Sequence, residues 1–158
     1  MLERLILYFV CKTKGHITKT QLVKFLYLAD LYAVKWTDQQ LTELNWCYYS
    51  YGPWEQGIDE ALDSMSESLE LKGCGDATMV NLRDQSLLNS EFDFPLGLAL
   101  ILDNIRKEWA GSNKLKPLLD HVYATAPMVD AKAKSKPEDK ALLDLSLEQK
   151  KAMAEMGV

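Results

Sequence analysis

Three cysteines, two histidines and one carboxylate in an apolar run are the residues of this chain best equipped to do chemistry. Cys11, Cys47 and Cys74 are far apart and form no C-x-x-C pair. An odd count without metal spacing predicts reduced thiols that behave as small buried hydrophobes. His16 follows Gly15 and is expected in a solvated turn. His121 lies in LLDHVY beside Asp120, where a half-buried helical histidine competes with a general base. Neither histidine has a cysteine or glutamate at metal-ligand spacing, so no metal is expected. No G-x-S-x-G, P-loop or dinucleotide fingerprint occurs, so no cofactor is implied. Gly73 and Gly75 flank Cys74 as turn residues rather than as a phosphate cradle. A Cys74–His121 nucleophilic pair stays open, since such pairs meet only in space.

Asp30 interrupts the stripe of Leu22, Phe25, Leu26, Ala29 and Tyr32. A carboxylate there must find donors, because burying it unpaired is costly or raises its pKa. Tyr, Trp or backbone N–H donors would make it a structural anchor for the helix. A catalytic acid is the other reading, but no second carboxylate stands near it in the sequence.

The elements that would carry these residues follow from periodicity. Leu2, Leu5, Ile6, Phe9 and Val10 share a helical face that Gly15 ends. Thr18 and Gln21 fit a capping box, with Ile17 placed to staple onto Leu22, so a second helix starts there and is central to the core. Thr42 to Tyr51 reads as extended. Gly52-Pro53 breaks it, with Pro53 at the first helical position, and Trp54, Ile58, Ala61, Leu62 and Met65 mark a third helix. SLELKGCGDATMVNLRD reads as a β-hairpin turning at Gly-Cys-Gly-Asp. Asp93 is expected to cap a helix along Leu96, Ala99, Leu100, Asp103 and Ile105, and a short helix follows Ser112. Ala131 to Lys140 reads as loop, and Ser146 as the N-cap of a last helix. The fold class is α+β: a predominantly helical single domain with a small β-hairpin.

A net charge of −5 argues against nucleic acid as the main partner. Lys132, Lys134, Lys136 and Lys140 are interspersed with Asp130, Glu138 and Asp139, which reads as a solvated loop. The apolar run LILYFVC is too short to span a bilayer and lacks the flanks of a signal peptide. Together with unpaired thiols this predicts a cytoplasmic protein that makes no membrane contact.

What remains is YYSYGPWEQGIDEAL, where Tyr48, Tyr49, Tyr51 and Trp54 crowd around Gly52-Pro53. Either Tyr51 and Trp54 pack on the first two helices, or they face a partner, as Tyr and Trp do at interface hot spots. Combined with ITKTQLVKFLYLADLYAVKW, the stretch resembles the Panacea domain of SocA-like antitoxins. The family's T-K-x-x-L-x-K-x-L-Y-L-A helix is matched by Thr18, Lys19, Leu22, Lys24, Leu26, Tyr27, Leu28 and Ala29. Its aromatic-x-Tyr-Gly-Pro corner is matched by Tyr49, Tyr51, Gly52 and Pro53, and a late Thr-x-Pro segment by Thr125, Pro127 and Met128. Many members place Val-Val-Pro after Gly-Pro, where this chain has Trp54-Glu55-Gln56.

The resemblance spans roughly Leu5 to Asp144. It implies a Panacea-like domain at residues 1–145, with a C-terminal helical tail at 146–158 inside or beyond it. It also implies a non-catalytic role: binding and neutralising a cognate toxin encoded in a toxin–antitoxin operon, prophage or other mobile element. One branch of the family delivers its toxin to a Clp-type protease, so a proteolytic adaptor, or an interaction protein without its own toxin, is the alternative. A small enzyme using Cys74 or Asp30 is the third reading. Tyr49, Tyr51 and Trp54 are the implied partner-binding residues; Thr18, Leu22, Tyr27, Asp30, Gly52, Pro53 and Pro127 are the implied structural ones.

Overall fold

The computed structural model describes residues 1–157. The first helix, α1 (Leu2–Lys12), buries Leu5, Ile6, Phe9 and Val10 and ends before Gly15, whose φ is +76°. Strand β1 (Ile17–Thr18) leads into α2 (Lys19–Thr37). The predicted capping box is present: the Gln21 amide N–H donates to Thr18 Oγ1 at 3.0 Å, and Gln21 Oε1 accepts from the Thr18 N–H at 3.0 Å. From Gln21 to Leu31 every residue of α2 is buried. A helix apolar on all sides must be covered on all sides. The other elements pack around it.

Strands β2 (Cys47–Tyr49) and β3 (Gly52–Trp54) form a hairpin turning at Ser50-Tyr51, with Cys47 opposite Trp54 and Tyr49 opposite Gly52. Helix α3 (Gly57–Ser64) follows. The second hairpin, β4 (Leu69–Cys74) and β5 (Ala77–Leu82), is the predicted one, and β1 pairs with β5 to make a three-stranded sheet in the order β1-β5-β4. Helices α4 (Leu96–Trp109), α5 (Leu115–Tyr123), α6 (Ala126–Lys134) and α7 (Ser146–Glu155) complete the chain. Helix α7 lies against α2 and α6, and its Glu148 carboxylate accepts the Ala126 N–H at 2.7 Å, where negative charge suits a helix N-terminus. The architecture is a single compact, mostly helical α+β domain.

Several local expectations are corrected. Pro53 lies in β3 rather than at a helix start, because the Tyr48 N–H opposite it points the other way, to the Ala141 carbonyl at 2.8 Å. That ladder position asks no N–H of Pro53, so proline is tolerated. Helix α3 accordingly starts at Gly57, and Glu55 caps it by accepting the Gly57 N–H at 3.1 Å. Asp93 does not cap α4; its carbonyl accepts from Arg4. Leu96 and Leu100 point outward, since the inward stripe of α4 is Leu98, Leu102 and Ile105. Helix α6 runs through Ala131–Lys134, with Ala131 buried and Lys134 paired to Asp130 at 2.8 Å, so the lysine-rich stretch is partly a solvated helix face. Ser146 starts α7, and Asp144 rather than Ser146 supplies the capping oxygen.

Candidate functional site

Three side chains of α2, at positions 24, 27 and 30, each reach a different distant segment. Asp30 is 0% exposed, and its carboxylate accepts four hydrogen bonds. The donors are the Leu41 and Thr42 N–H groups (both 3.0 Å), the Thr42 hydroxyl (2.5 Å) and the Trp46 indole (2.8 Å). Burial pushes the Asp30 carboxyl up from its ordinary range, and these donors pull against it. Every donor is structural, which fixes the irregular Thr42–Trp46 segment to α2. Thr42 to Trp46 therefore need not be a strand, and only Cys47–Tyr49 of the predicted extended run is one.

Tyr27 is buried and its hydroxyl lies 2.8 Å from Thr125 Oγ1. The Thr125 hydroxyl donates to the Val122 carbonyl at 2.6 Å, so its oxygen is left to accept from Tyr27. This bond joins α2 to the α5–α6 junction, where Pro127 occupies the first turn of α6. The Tyr27 ring also meets Trp46 edge-on at 5.5 Å. Leu22 is fully buried in the same core.

Lys24 is the third. It is only 3% exposed, and its ammonium donates to the Pro53 carbonyl at 3.1 Å. Burial lowers its pKa from 10.5 to about 8. Above it Gly52 adopts φ +100°, a conformation few L-residues hold, and a Cβ there would stand 3.5 Å from the Tyr123 ring and 3.6 Å from Lys24 Cε. The Gly-Pro corner is thus bolted to α2 through one buried lysine. Lys24 enters the sequence pattern only as a match to the family helix, because lysine is normally exposed; its place between the apolar Val23 and Phe25 was the available signal of burial.

The aromatic residues of the corner divide. Tyr48 is buried, while Tyr51 at the hairpin tip is 77% exposed and does not pack on the first helices. Tyr49 and Trp54 are half-buried on the outer face, their rings 5.2 Å apart across the diagonal of the ladder, with the Lys140 ammonium 5.0 Å from Tyr49 and 5.9 Å from Trp54. With Val23, Lys19, Thr20 and Lys24 they line a cleft of about 190 Å3.

A second apolar surface surrounds Trp36, which is 69% exposed in the last turn of α2. One groove runs from it past Leu41 to Leu98 and Ile101, about 600 Å3 in volume, and another runs to Met153 on α7 and Met156 just beyond its end. The sequence stripe of α2 ends at Tyr32, and nothing in the local pattern marks the exposed Trp36 beyond it.

The candidate nucleophiles do not assemble. Cys11 is buried, Cys47 half-buried and Cys74 exposed beside the β4–β5 turn, which corrects the expectation that all three thiols are buried. His121 stacks on Trp109 at 4.8 Å, and its Nε2 lies 2.7 Å from the Tyr32 hydroxyl. Burial lowers its pKa. Its neighbours are aromatic, and Cys74 is not among them. His16 is exposed, as predicted. Among the described residues no group of His, Cys, Asp and Glu could hold a metal, and no helix is long and apolar enough to cross a membrane.

The polar side chains of α2 tie the domain together, while Tyr51 and Trp36 reach its surface. Residues 22–94 match the family model described as Antitoxin SocA-like, Panacea domain. The match takes in Leu22, Lys24, Tyr27, Asp30 and the whole Gly52-Pro53 corner; Thr18, Thr125 and Pro127 lie outside it. No curated protein and no solved structure matches the chain.

Proposed function

We propose that this chain is an antitoxin-like module that neutralises a cognate toxin by direct protein–protein binding, without catalysis of its own. The single observation that carries the reading is the hairpin tip, where Tyr51 stands exposed beside the half-buried pair Tyr49 and Trp54. Tyr and Trp bury large areas with few rotatable bonds, which is why they dominate interface hot spots. The hairpin is held from beneath by Lys24 and from the side by the 141–143 segment, so the aromatic surface is preorganised. The antitoxin-like family match over the same residues supports a protein partner.

The test is expression of the adjacent reading frame with and without this chain. Growth arrest relieved by the intact chain, and not by soluble Tyr51→Ala or Trp54→Ala variants, is the expected result. Relief that survives both substitutions would remove the hairpin from the reading.

A proteolytic adaptor is the second reading, and the Trp36 face favours it. An adaptor needs two surfaces, one for cargo and one for a protease of the Clp type. From Lys24 to Trp36 the axis of α2 advances about 18 Å at ~1.5 Å per residue, so the corner and the Trp36 grooves lie towards opposite ends of the central helix. Loss of toxin turnover in Trp36→Ala, with toxin binding retained, would separate this reading from simple sequestration.

A further inference from the structure

The Lys24 ammonium carries three N–H donors, and the structure gives it one acceptor, the Pro53 carbonyl. Among the described residues it forms no ion pair. The acidic groups around the cleft are otherwise engaged. Asp59 of α3 is bound by Lys19, and the Glu55 carboxylate is turned to the Gly57 N–H. A lysine sealed from water usually has a carboxylate beside it. Here the position next to it is a side-chain-sized cleft of about 190 Å3, walled by Val23, Tyr49, Tyr51 and Trp54. A cavity of about 150 Å3 already admits a benzene-sized group. The walls suit an apolar stem, and the end of the cleft suits a negative charge.

We propose that this cleft is a carboxylate-binding site that takes a glutamate side chain of the protein partner, with Lys24 as the counter-charge. The inference rests on the binding role of the hairpin and names the chemistry of what it binds. The methylenes of glutamate lie against Val23 and the Trp54 ring, and the carboxylate accepts the two N–H groups that Lys24 has to spare. Lys140, whose ammonium lies over the Tyr49 and Trp54 rings, adds positive potential at the rim in a chain whose net charge is −5. A side chain fits better than a chain terminus because Tyr51 stands above the surface, so a partner backbone can continue past it on both sides. A bound carboxylate raises the depressed Lys24 pKa, because its charge favours the ammonium that burial disfavours.

The experiment titrates the full chain with the blocked peptide acetyl-Ala-Ala-Glu-Ala-Ala-amide and follows the Trp54 indole N–H and Lys24 side-chain resonances by NMR. Saturable shifts at both are expected, with the Lys24 titration midpoint moving up by at least one pH unit. The glutamine peptide, N-acetylalanine and inorganic phosphate should each bind at least five-fold more weakly. Lys24→Met should abolish the shifts; because that residue is buried, Tyr51→Ala, at an exposed tip, serves as a second variant and should weaken binding several-fold. No saturable shift, equal binding of the glutamine peptide, or undiminished binding by a folded Lys24→Met variant would overturn the site. Tighter binding of N-acetylalanine would assign it to a chain terminus, and tighter phosphate binding to a general anion; either overturns the glutamate proposal. Toxin neutralisation that needs Tyr51 and Trp54 but not Lys24 would sink this inference and leave the binding role standing. Peptide binding without neutralisation of any toxin would do the reverse.

Discussion

Asp30 and Lys24 sit six residues apart on the same helix, both buried, and the fold treats them differently. Asp30 is saturated: two backbone N–H groups, a hydroxyl and an indole converge on its two oxygens. Lys24 has one carbonyl and an adjoining cleft. A buried charge with all its partners in the chain holds the chain together. A buried charge with too few partners, beside a cleft, has capacity left for something from outside. Substitutions on α2 and the corner test whether that difference separates architecture from interface, beginning with the largest expected effect on stability.

The largest effect belongs to Asp30. Asp30→Ala leaves the Leu41 and Thr42 N–H groups and the Trp46 indole buried without an acceptor, and should destabilise the chain by roughly 3–5 kcal/mol. Asp30→Asn keeps one acceptor oxygen but turns an NH2 towards donors, and should cost about 1–3 kcal/mol. Denaturant unfolding measures both. An unchanged melt for either would mean that the four hydrogen bonds do not hold the Thr42–Trp46 segment.

Gly52 comes next. At φ +100° an alanine is strained, while its Cβ would make only ordinary contacts with Tyr123 and Lys24. Gly52→Ala should therefore cost roughly 1–3 kcal/mol, almost all of it backbone strain. Stability that does not fall would show that the corner relaxes its φ, and with it the position of the Pro53 carbonyl over Lys24.

Lys24 itself predicts a pH dependence whose sign is fixed. Its folded pKa of about 8 lies below the ordinary 10.5. Between those values the unfolded chain holds a proton that the folded chain has released, so stability rises with pH across that window. Below about pH 8 the protein carries the full cost of burying the ammonium, a few kcal/mol by the size of the shift. The groups facing Lys24 are Lys19 on its own helix, Tyr49 and Tyr51 on the hairpin and Tyr123 on α5. Burial raises the Tyr123 pKa, and the comparison with Lys24→Met, which keeps every one of these neighbours, isolates the lysine. Lys24→Met should be no less stable than the parent at pH 7 and should lack the rise between pH 8 and 10. A parallel pH profile in the two proteins would mean that Lys24 is hydrated and the cleft is not its counterpart.

Much of the scaffold was legible in the sequence. The Thr18–Gln21 box, the buried α2 stripe and the β4–β5 hairpin follow from local rules, and the need of Asp30 for donors follows from the cost of burying a charge. The corner was legible only as a crowd of aromatics. Its hairpin depends on Tyr48 turning its N–H to Ala141, more than ninety residues away in the chain, and no local pattern records that. The phase of α4 failed for a related reason: Leu96, Leu98, Leu100 and Leu102 are alike in type, and only the position of α2 selects Leu98 and Leu102 as the inner pair. Trp36 and Lys24 exchanged their usual places, the aromatic outside and the cation inside. Composition-based reasoning errs at such positions.

The smallest effect on stability should come from Tyr51, and it gives the sharpest test of the comparison. Its side chain is at a hairpin tip, 77% exposed, and it makes no hydrogen bond among the described residues. Tyr51→Ala should shift the unfolding free energy by no more than about 0.5 kcal/mol. If the corner is the interface, the same substitution should weaken partner binding by about 2 kcal/mol or more, close to thirty-fold in Kd. Trp54→Ala should fall between, because its side chain is half-buried against Tyr49 and the cleft wall. Trp36→Ala is the control at the other end of α2, an aromatic residue 69% exposed. A partner lost on Trp36→Ala but kept on Tyr51→Ala would move the interface to the far grooves, and the spare capacity of Lys24 would then need another explanation. A partner lost on Tyr51→Ala alone, with an unchanged melt, ties the exposed tip and the unsaturated lysine beneath it to one binding surface.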